Sequence, residues 1–161
     1  STVFMQHVSV ENIKKICFSI TTMRPIEIIY ASLESGNKQR FILPHAMFYD
    51  GIKIYARSFC YINKVYKDFC LSRIVDYIGY DLQSNKLHDK EWEQVETVKI
   101  VPHPELRKHQ KETIMMDYNM KNGYINISLR KPLMYYFIRK HNLDCPHSDP
   151  LRQQIIIESR S

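Results

Sequence analysis

Hydrophobic and polar residues alternate along the chain between residues 26 and 80, and this alternation indicates β-strands. Side chains two residues apart in a strand share a face. The Asp50-Gly51 pair is typical of a two-residue hairpin turn. Strands joined by such short turns pair antiparallel and are able to close a small barrel. The pattern predicts strands over residues 26–33, 39–49, 53–60 and 65–74, with a continuation or bend over 75–80.

Helical spacing of apolar residues precedes and follows this β-rich stretch. Residues 8–23 repeat apolar positions at helical spacing, and Arg24-Pro25 ends the helix. The polar segment 81–91 is the best domain boundary. The remaining residues predict a compact α+β unit with one sheet and two helices on a face. Its predicted elements are a strand over 92–101, a helix over 105–118, a strand over 124–130, a helix beginning at Pro132 and a strand over 155–157.

The strand predicted over 53–60 has two contrasting faces. One face is small and suits the inside of a tight barrel: Ile54, Ala56, Ser58 and Cys60. The other alternates cations with aromatic rings: Lys53, Tyr55, Arg57 and Phe59. The next predicted strand repeats this combination with Lys67, Phe69 and Arg73. A surface of cations beside rings suits an anion with a flat ring, so a nucleotide or a single nucleic-acid strand is the predicted guest.

Several short segments of this stretch match a known family. They are Pro44-His45, Asp50-Gly51, IYARSFC at 54–60, KDF at 67–69 and SRI at 72–74. Together they resemble the core of a WYL domain, a small SH3-like (Sm-like) β-barrel of bacterial transcription regulators. The spacing is similar to that of WYL repressors attached to phage-defence operons of the BREX- and CBASS-associated kind. Of the Trp-Tyr-Leu signature only Tyr55 is kept, because residues 54–56 read Ile-Tyr-Ala.

The resemblance extends into the second half of the chain. His103-Pro104, the run from Asp117 to Met120, Gly123 and Arg130 resemble the C-terminal extension of these regulators, called WCX. The resemblance therefore implies a linker helix over 1–24, a ligand-sensing SH3-like barrel over 25–82 and an α+β dimerisation domain over 92–161. It also implies a homodimer that binds DNA through an N-terminal winged-helix domain. Since residue 1 is Ser, we expect the chain to be the C-terminal part of a longer protein.

The predicted ligand-binding residues lie on the barrel: His45, Tyr55, Arg57, Ser58, Lys67 and Arg73. Arg57 is the strongest candidate, because a guanidinium on a central strand is costly unless it meets an anion. An internal ion pair with Asp68 or Asp76 is the alternative, and the sequence leaves both open. Pro44 predicts a bulge that moves His45 out of simple alternation. Ser58 has the parity opposite to Arg57, so it reaches the same pocket only at the barrel rim.

Charge and composition narrow the class of protein. The 161 residues carry 23 Lys and Arg against 17 Asp and Glu, a net charge of +6. Residues 99–141 hold nine cations and three acids, which fits either solvated helices or a second nucleic-acid-facing surface. No apolar run approaches the ~18 residues of a membrane span, and no signal-peptide pattern opens the chain. We expect a soluble cytoplasmic protein.

Catalytic and metal sites are not predicted. The chain has no phosphate loop, no G-x-S-x-G or HExxH motif and no paired carboxylates beside an apolar pocket. The four cysteines have no CxxC spacing. His141, Cys145 and His147 are close enough in sequence to suggest zinc, but prolines bracket that loop and no partner pair of ligands exists. We therefore expect no enzyme activity, no cofactor and no metal.

Three functions from different classes fit these observations. The first is the effector-sensing and dimerising portion of a transcriptional repressor of a phage-defence operon, with a nucleotide or single-stranded nucleic-acid effector. The second is a stand-alone Sm-like module that binds single-stranded nucleic acid, which the net charge of +6 favours. The third is a purely structural dimerisation unit.

Overall fold

The computed structural model describes residues 7–145 and 149–161, and the chain divides into two compact units. The first unit ends at His88 and the second begins at Asp89, within the polar segment 81–91. Each unit has its own sheet and its own hydrophobic core. Both sheets are antiparallel, so the architecture is mixed α+β with few helices.

The first unit is a five-stranded sheet with one helix packed against it. Its elements are α1 (Val10–Thr22), β1 (Ile26–Ser32), β2 (Gly36–Tyr49), β3 (Ile54–Cys60), β4 (Val65–Cys70), a 3-10 turn (Leu71–Arg73) and β5 (Ile74–Tyr80). The strand order is β4-β3-β2-β1-β5, so β4 and β5 are the edges. Within the described residues the strand pairing does not join these two edges, and the closed barrel stays a prediction.

Helix α1 packs into the core of the first unit, and the linker role that the resemblance implies for it stays a prediction. Ile16 is fully buried and packs in one cluster with Ile26, Ile42 and Phe69. The start of the helix is fixed locally, because the Ser9 side chain accepts a hydrogen bond of 3.2 Å from the backbone nitrogen of Asn12. Burial of an apolar stripe, rather than connection alone, therefore holds α1 in place.

Two local predictions in this unit are wrong. The strand predicted over 65–74 ends at Cys70, because the 3-10 turn buries Leu71 and directs β5 back to β1. The loop at Asp50-Gly51 has four residues rather than two. The Asp50 carboxylate accepts hydrogen bonds from the backbone nitrogens of Ile52 and Lys53 at 2.8 and 2.7 Å, and this longer turn replaces the two-residue form.

The second unit is a three-stranded sheet with order β7-β6-β8. Its elements are α2 (Lys90–Glu93), β6 (Val95–Pro102), α3 (Lys108–Asp117), β7 (Ile125–Arg130), α4 (Lys131–Lys140) and β8 (Ile155–Arg160). Val98, Ile100 and Met134 are at its core. Trp92 lies in α2 rather than in the predicted strand. The Asp89 carboxylate caps this helix by accepting a hydrogen bond of 3.1 Å from the backbone nitrogen of Trp92.

Within residues 7–145 and 149–161, no helix combines the length and the apolar character that crossing a bilayer requires.

Candidate ligand-binding face

Strand register places Arg57 at the middle of one face of β2, β3 and β4. Ala46 lies opposite Arg57 on β2, and Asp68 lies opposite it on β4. Residues directly opposite each other in an antiparallel pair share a face. The same face carries four aromatic side chains: Phe48, Tyr55, Phe59 and Tyr66. We refer to these residues, with Arg57, Asp68 and His45, as the Arg57 face.

Arg57 forms the internal ion pair that the sequence left open. Only 5% of its surface is exposed, and its Nη1 lies 3.3 Å from the Oδ1 of Asp68. The guanidinium carbon also lies 5.8 Å from the centroid of the Tyr66 ring. A buried guanidinium is tolerated because the carboxylate and the ring compensate its charge. Any anion that binds Arg57 must therefore compete with Asp68.

His45 reaches the Arg57 face through a bulge. The register of β2 against β3 shifts between Pro44 and Ala46, so His45 is the extra residue. Its ring meets the Tyr66 ring edge-on at a centroid distance of 5.6 Å. The break predicted at Pro44 is present, and it brings His45 and Arg57 to the same tyrosine. Sequence reasoning missed Tyr66, although its pairing with Phe59 follows from the hairpin register.

Tyr55 supplies a neutral phenol at one end of this face. Its ring stacks on Phe48 at a centroid distance of 5.2 Å and an interplanar angle of 16°. Desolvation by burial, followed by the negative charge of Asp50, raises the pKa of Tyr55 to about 12. Arg73 on the 3-10 turn acts on the same hydroxyl and partly offsets this rise in pKa. Arg73 is therefore near Tyr55, although it lies outside β4.

Ser58 and Lys67 are not on the Arg57 face. They lie opposite each other in the β3–β4 pair, on the other side of the sheet. Ser58 is fully buried, and its hydroxyl donates to the backbone oxygen of Ala56 at 3.2 Å. Lys67 is exposed, and its Nζ donates to the Oδ1 of Asn63 at 2.9 Å. The predicted grouping of Lys67 with Arg57 is wrong, because the register pairs Arg57 with Asp68.

A second arginine, which the sequence pattern did not single out, is also buried. Arg40 is 8% exposed and points into the core, with its guanidinium carbon 5.8 Å from the centroids of both Tyr30 and Phe69. Its Nη1 donates to the Cys60 sulfur at 3.8 Å, and its Nε has no hydrogen-bond partner among residues 7–145 and 149–161. The burial of Arg40 could have been predicted from the sequence. Arg40 and Ile42 are two residues apart in a predicted strand, so their side chains lie on the same, buried face.

The zinc hypothesis rests partly on a position outside the described residues. His147 lies in the segment 146–148, for which no structure is described, and Cys145 is exposed. Among the residues that are described, no three His, Cys, Asp or Glu side chains are grouped to hold a metal ion.

Comparison with known proteins places the chain in a family. Residues 95–161 match the family described as BrxR transcriptional regulator, C-terminal dimerization domain. A "DNA-binding transcriptional repressor CapW" of Stenotrophomonas maltophilia is 31% identical over 139 residues, which are 83% of this chain and 46% of that protein. The predicted family is confirmed. The chain belongs to the WYL-type regulators associated with phage defence.

Further relatives of this WYL-type chain carry the same description. The CapW of Pseudomonas aeruginosa is 32% identical over 127 residues, 77% of this chain and 42% of that protein. The CapW of Escherichia coli strain KTE188 is 25% identical over 160 residues, 97% of this chain and 54% of that protein. The chain thus spans about half the length of the curated relatives it matches.

One solved structure shows a weaker similarity. Proteasome accessory factor B/C (PafBC) of Arthrobacter aurescens aligns with 97% of this chain and 26% of its own, at 15% identity and a TM-score of 0.42. A similarity of this size does not define the fold.

Proposed function

We propose that this chain is the C-terminal effector-sensing and dimerising portion of a transcriptional repressor of a phage-defence operon. The match of residues 95–161 to a dimerization domain supports the dimerising part. The relatives described as DNA-binding transcriptional repressors support the regulatory part. DNA would be contacted through the winged-helix domain that the family resemblance implies.

The proposed fold of the sensing unit is a closed SH3-like (Sm-like) barrel. Its support is the return of β5 to β1 after the 3-10 turn, which leaves β4 and β5 as the two edges of one five-stranded sheet. Such closure removes exposed strand edges. The Arg57 face lies on three adjacent strands of this unit, β2 to β4.

The proposed effector is a nucleotide or a short single strand of nucleic acid. The observation that carries this proposal is the Arg57–Asp68 pair, 3.3 Å apart, in a face that also carries several aromatic rings. A phosphate oxygen would replace the Asp68 carboxylate as the acceptor for the guanidinium. A base would pack against the rings of Tyr55 and Tyr66. His45 lies beside Tyr66, and the charge of Arg73 acts on Tyr55 and also on the buried Tyr30.

Competition for Arg57 gives the face two states. In one state Arg57 is paired with Asp68, and in the other the effector holds Arg57 and the carboxylate is released. A ligand shifts such an equilibrium only by its difference in affinity for the two states. We infer that the two states favour different dimer arrangements, and through them different affinities for DNA.

Calorimetry with cyclic nucleotides and short oligonucleotides tests the sensing proposal. We expect Arg57→Ala to abolish the heat of binding, because the phosphate loses its bidentate partner. Asp68→Asn removes the carboxylate that competes with the phosphate for Arg57. We therefore expect the variant to bind the nucleotide about tenfold more tightly, which corresponds to about 1.4 kcal/mol of binding free energy.

Asp76→Asn is the matched control for Asp68→Asn. Asp76 is an exposed residue of β5, and its substitution removes the same charge from the same unit. We expect it to leave the affinity unchanged. Equal binding by the wild type, Arg57→Ala and Asp68→Asn, with all three folded by circular dichroism, would remove the Arg57 face as the effector site.

A stand-alone nucleic-acid-binding module is the second candidate, favoured by the net charge of +6. This function predicts tight and sequence-indifferent binding of single strands by the 161-residue chain, with a steep dependence on salt. An effector-sensing unit instead predicts selectivity among nucleotides.

A further inference from the structure

A second basic and aromatic surface lies on the first unit, in a cleft beside α1 and the end of β5. The cleft has a volume of about 370 Å³ and is lined by Lys14, Lys15, Phe18, Arg24 and Tyr80. Among the described residues that line it, every charged side chain is a cation. We refer to it as the Phe18 cleft. None of its residues belongs to the Arg57 face.

The cations of the Phe18 cleft are held by neutral groups or by a weak ion pair. The Nε of Arg24 donates to the backbone oxygen of Asp81 at 2.6 Å, and the Nζ of Lys15 lies 5.1 Å from the centroid of the Tyr77 ring. Lys14 lies 3.5 Å from Glu11, but their side chains are 68% and 74% exposed, so the pair neutralises little charge. Positive charge in the cleft therefore remains available to an anion.

Aromatic rings complete the Phe18 cleft. Phe18 is 42% exposed, and its ring lies 4.7 Å from that of Tyr80. The guanidinium carbon of Arg24 is 5.7 Å from the Phe18 centroid and 5.8 Å from the Tyr80 centroid. The Tyr80 hydroxyl donates to the backbone oxygen of Lys15 at 3.2 Å, which ties the ring to α1. The rings are thus positioned before any ligand arrives.

We propose that the Phe18 cleft binds single-stranded nucleic acid. Sites of this class combine cations that follow the phosphates with rings on which bases stack. Phosphates contact Lys14, Lys15 and Arg24, and one base stacks on the exposed ring of Phe18. An acidic peptide would match the charge of the cleft, but it would leave that ring without a flat partner. This inference does not rest on the function proposed for the Arg57 face.

Fluorescence anisotropy with a labelled thymidine octanucleotide tests the proposal on the 161-residue chain. Lys15→Gln removes one phosphate contact, so we expect the slope of log affinity against log salt to fall by about 0.7. Phe18→Leu keeps an apolar side chain but removes the ring, and we expect about tenfold weaker binding with an unchanged salt slope. Thermal melts confirm that both variants are folded.

Two controls make the outcome specific to the cleft. Lys38→Gln removes one charge from an exposed lysine at the start of β2, and we expect no change in affinity or slope beyond the experimental error. Unlabelled poly-glutamate of equal charge serves as the competitor and is expected to displace the oligonucleotide poorly.

Each remaining outcome overturns the proposal. Wild-type affinity in both Lys15→Gln and Phe18→Leu would show that the octanucleotide binds elsewhere, and loss of binding in Arg57→Ala alone would assign it to the Arg57 face. Equal displacement by poly-glutamate would indicate a site for an acidic protein segment.

Discussion

At the scale of single residues, the positive charges of two buried arginines in one sheet are compensated by different groups. Arg57 is paired with a carboxylate at 3.3 Å and faces a tyrosine ring. Arg40 contacts two rings and a thiol, and no carboxylate is among its contacts in the described part of the chain. Removing one partner of a buried pair leaves an uncompensated charge, whereas removing a charge that lacks a counter-ion relieves a cost.

Methionine substitutions are expected to separate the two cases. Arg57→Met removes the cation that lies 3.3 Å from the Asp68 carboxylate, so we expect the free energy of unfolding to fall by about 3 kcal/mol. Arg40→Met keeps an apolar side chain packed on Tyr30 and Phe69 and removes the charge, so we expect the free energy of unfolding to rise by about 1 kcal/mol. Urea denaturation measures both values. A similar loss in the two variants would show that ring and thiol contacts compensate Arg40 as fully as a carboxylate does.

At the scale of elements, the limits of helix α1 and its packing have different origins. Its limits follow from local chemistry, because Ser9 begins it and the left-handed Met23 (φ 53°) ends it. Its packing does not follow from local chemistry. Ile16 enters the same core as the strands, so the stability of α1 and that of the sheet are coupled.

Loss of the helix cap is therefore expected to destabilise the whole first unit. Ser9→Ala removes the acceptor for the Asn12 backbone nitrogen, and we expect the free energy of unfolding to fall by about 1 kcal/mol. Ser9→Asp keeps an acceptor at this position and is expected to retain wild-type stability. Thermal melts followed separately by helical and aromatic circular dichroism check the coupling. A change in the helical signal alone would mean that α1 unfolds independently of the sheet.

At the scale of the whole molecule, association is the property that the family match predicts most directly. Residues 95–161 match a dimerization domain, and they lie within the second unit, whose core is separate from that of the first. We expect sedimentation equilibrium to report a homodimer across the micromolar range. A monomer at these concentrations would exclude both the structural dimerisation unit and the dimer-based mechanism, while leaving a free-standing nucleic-acid-binding module as the surviving function.

Much of the candidate site could be predicted from the alternation of side chains along one strand and from the position of Pro44. Alternation placed Tyr55, Arg57 and Phe59 on one face, and Pro44 predicted the bulge that brings His45 beside it. The prediction that Lys67 shares a face with Arg57 was wrong, because the face of the sheet on which Lys67 lies depends on which residue of β4 is opposite Arg57. That register is a property of two paired strands, and a one-residue shift moves every side chain to the other face.

Local sequence was enough to predict most of the elements, because periodicity, caps and turns act between residues close along the chain, and its motifs indicated the family. It also limited Arg57 to two partners, an anion or a nearby carboxylate. The choice between these partners depends on strand pairing, which places Asp68 opposite Arg57, and folding of the unit also brings Phe18 of α1 against Tyr80 of β5. Such contacts join residues far apart in the chain, so their geometry depends on packing of the whole unit rather than on local preference.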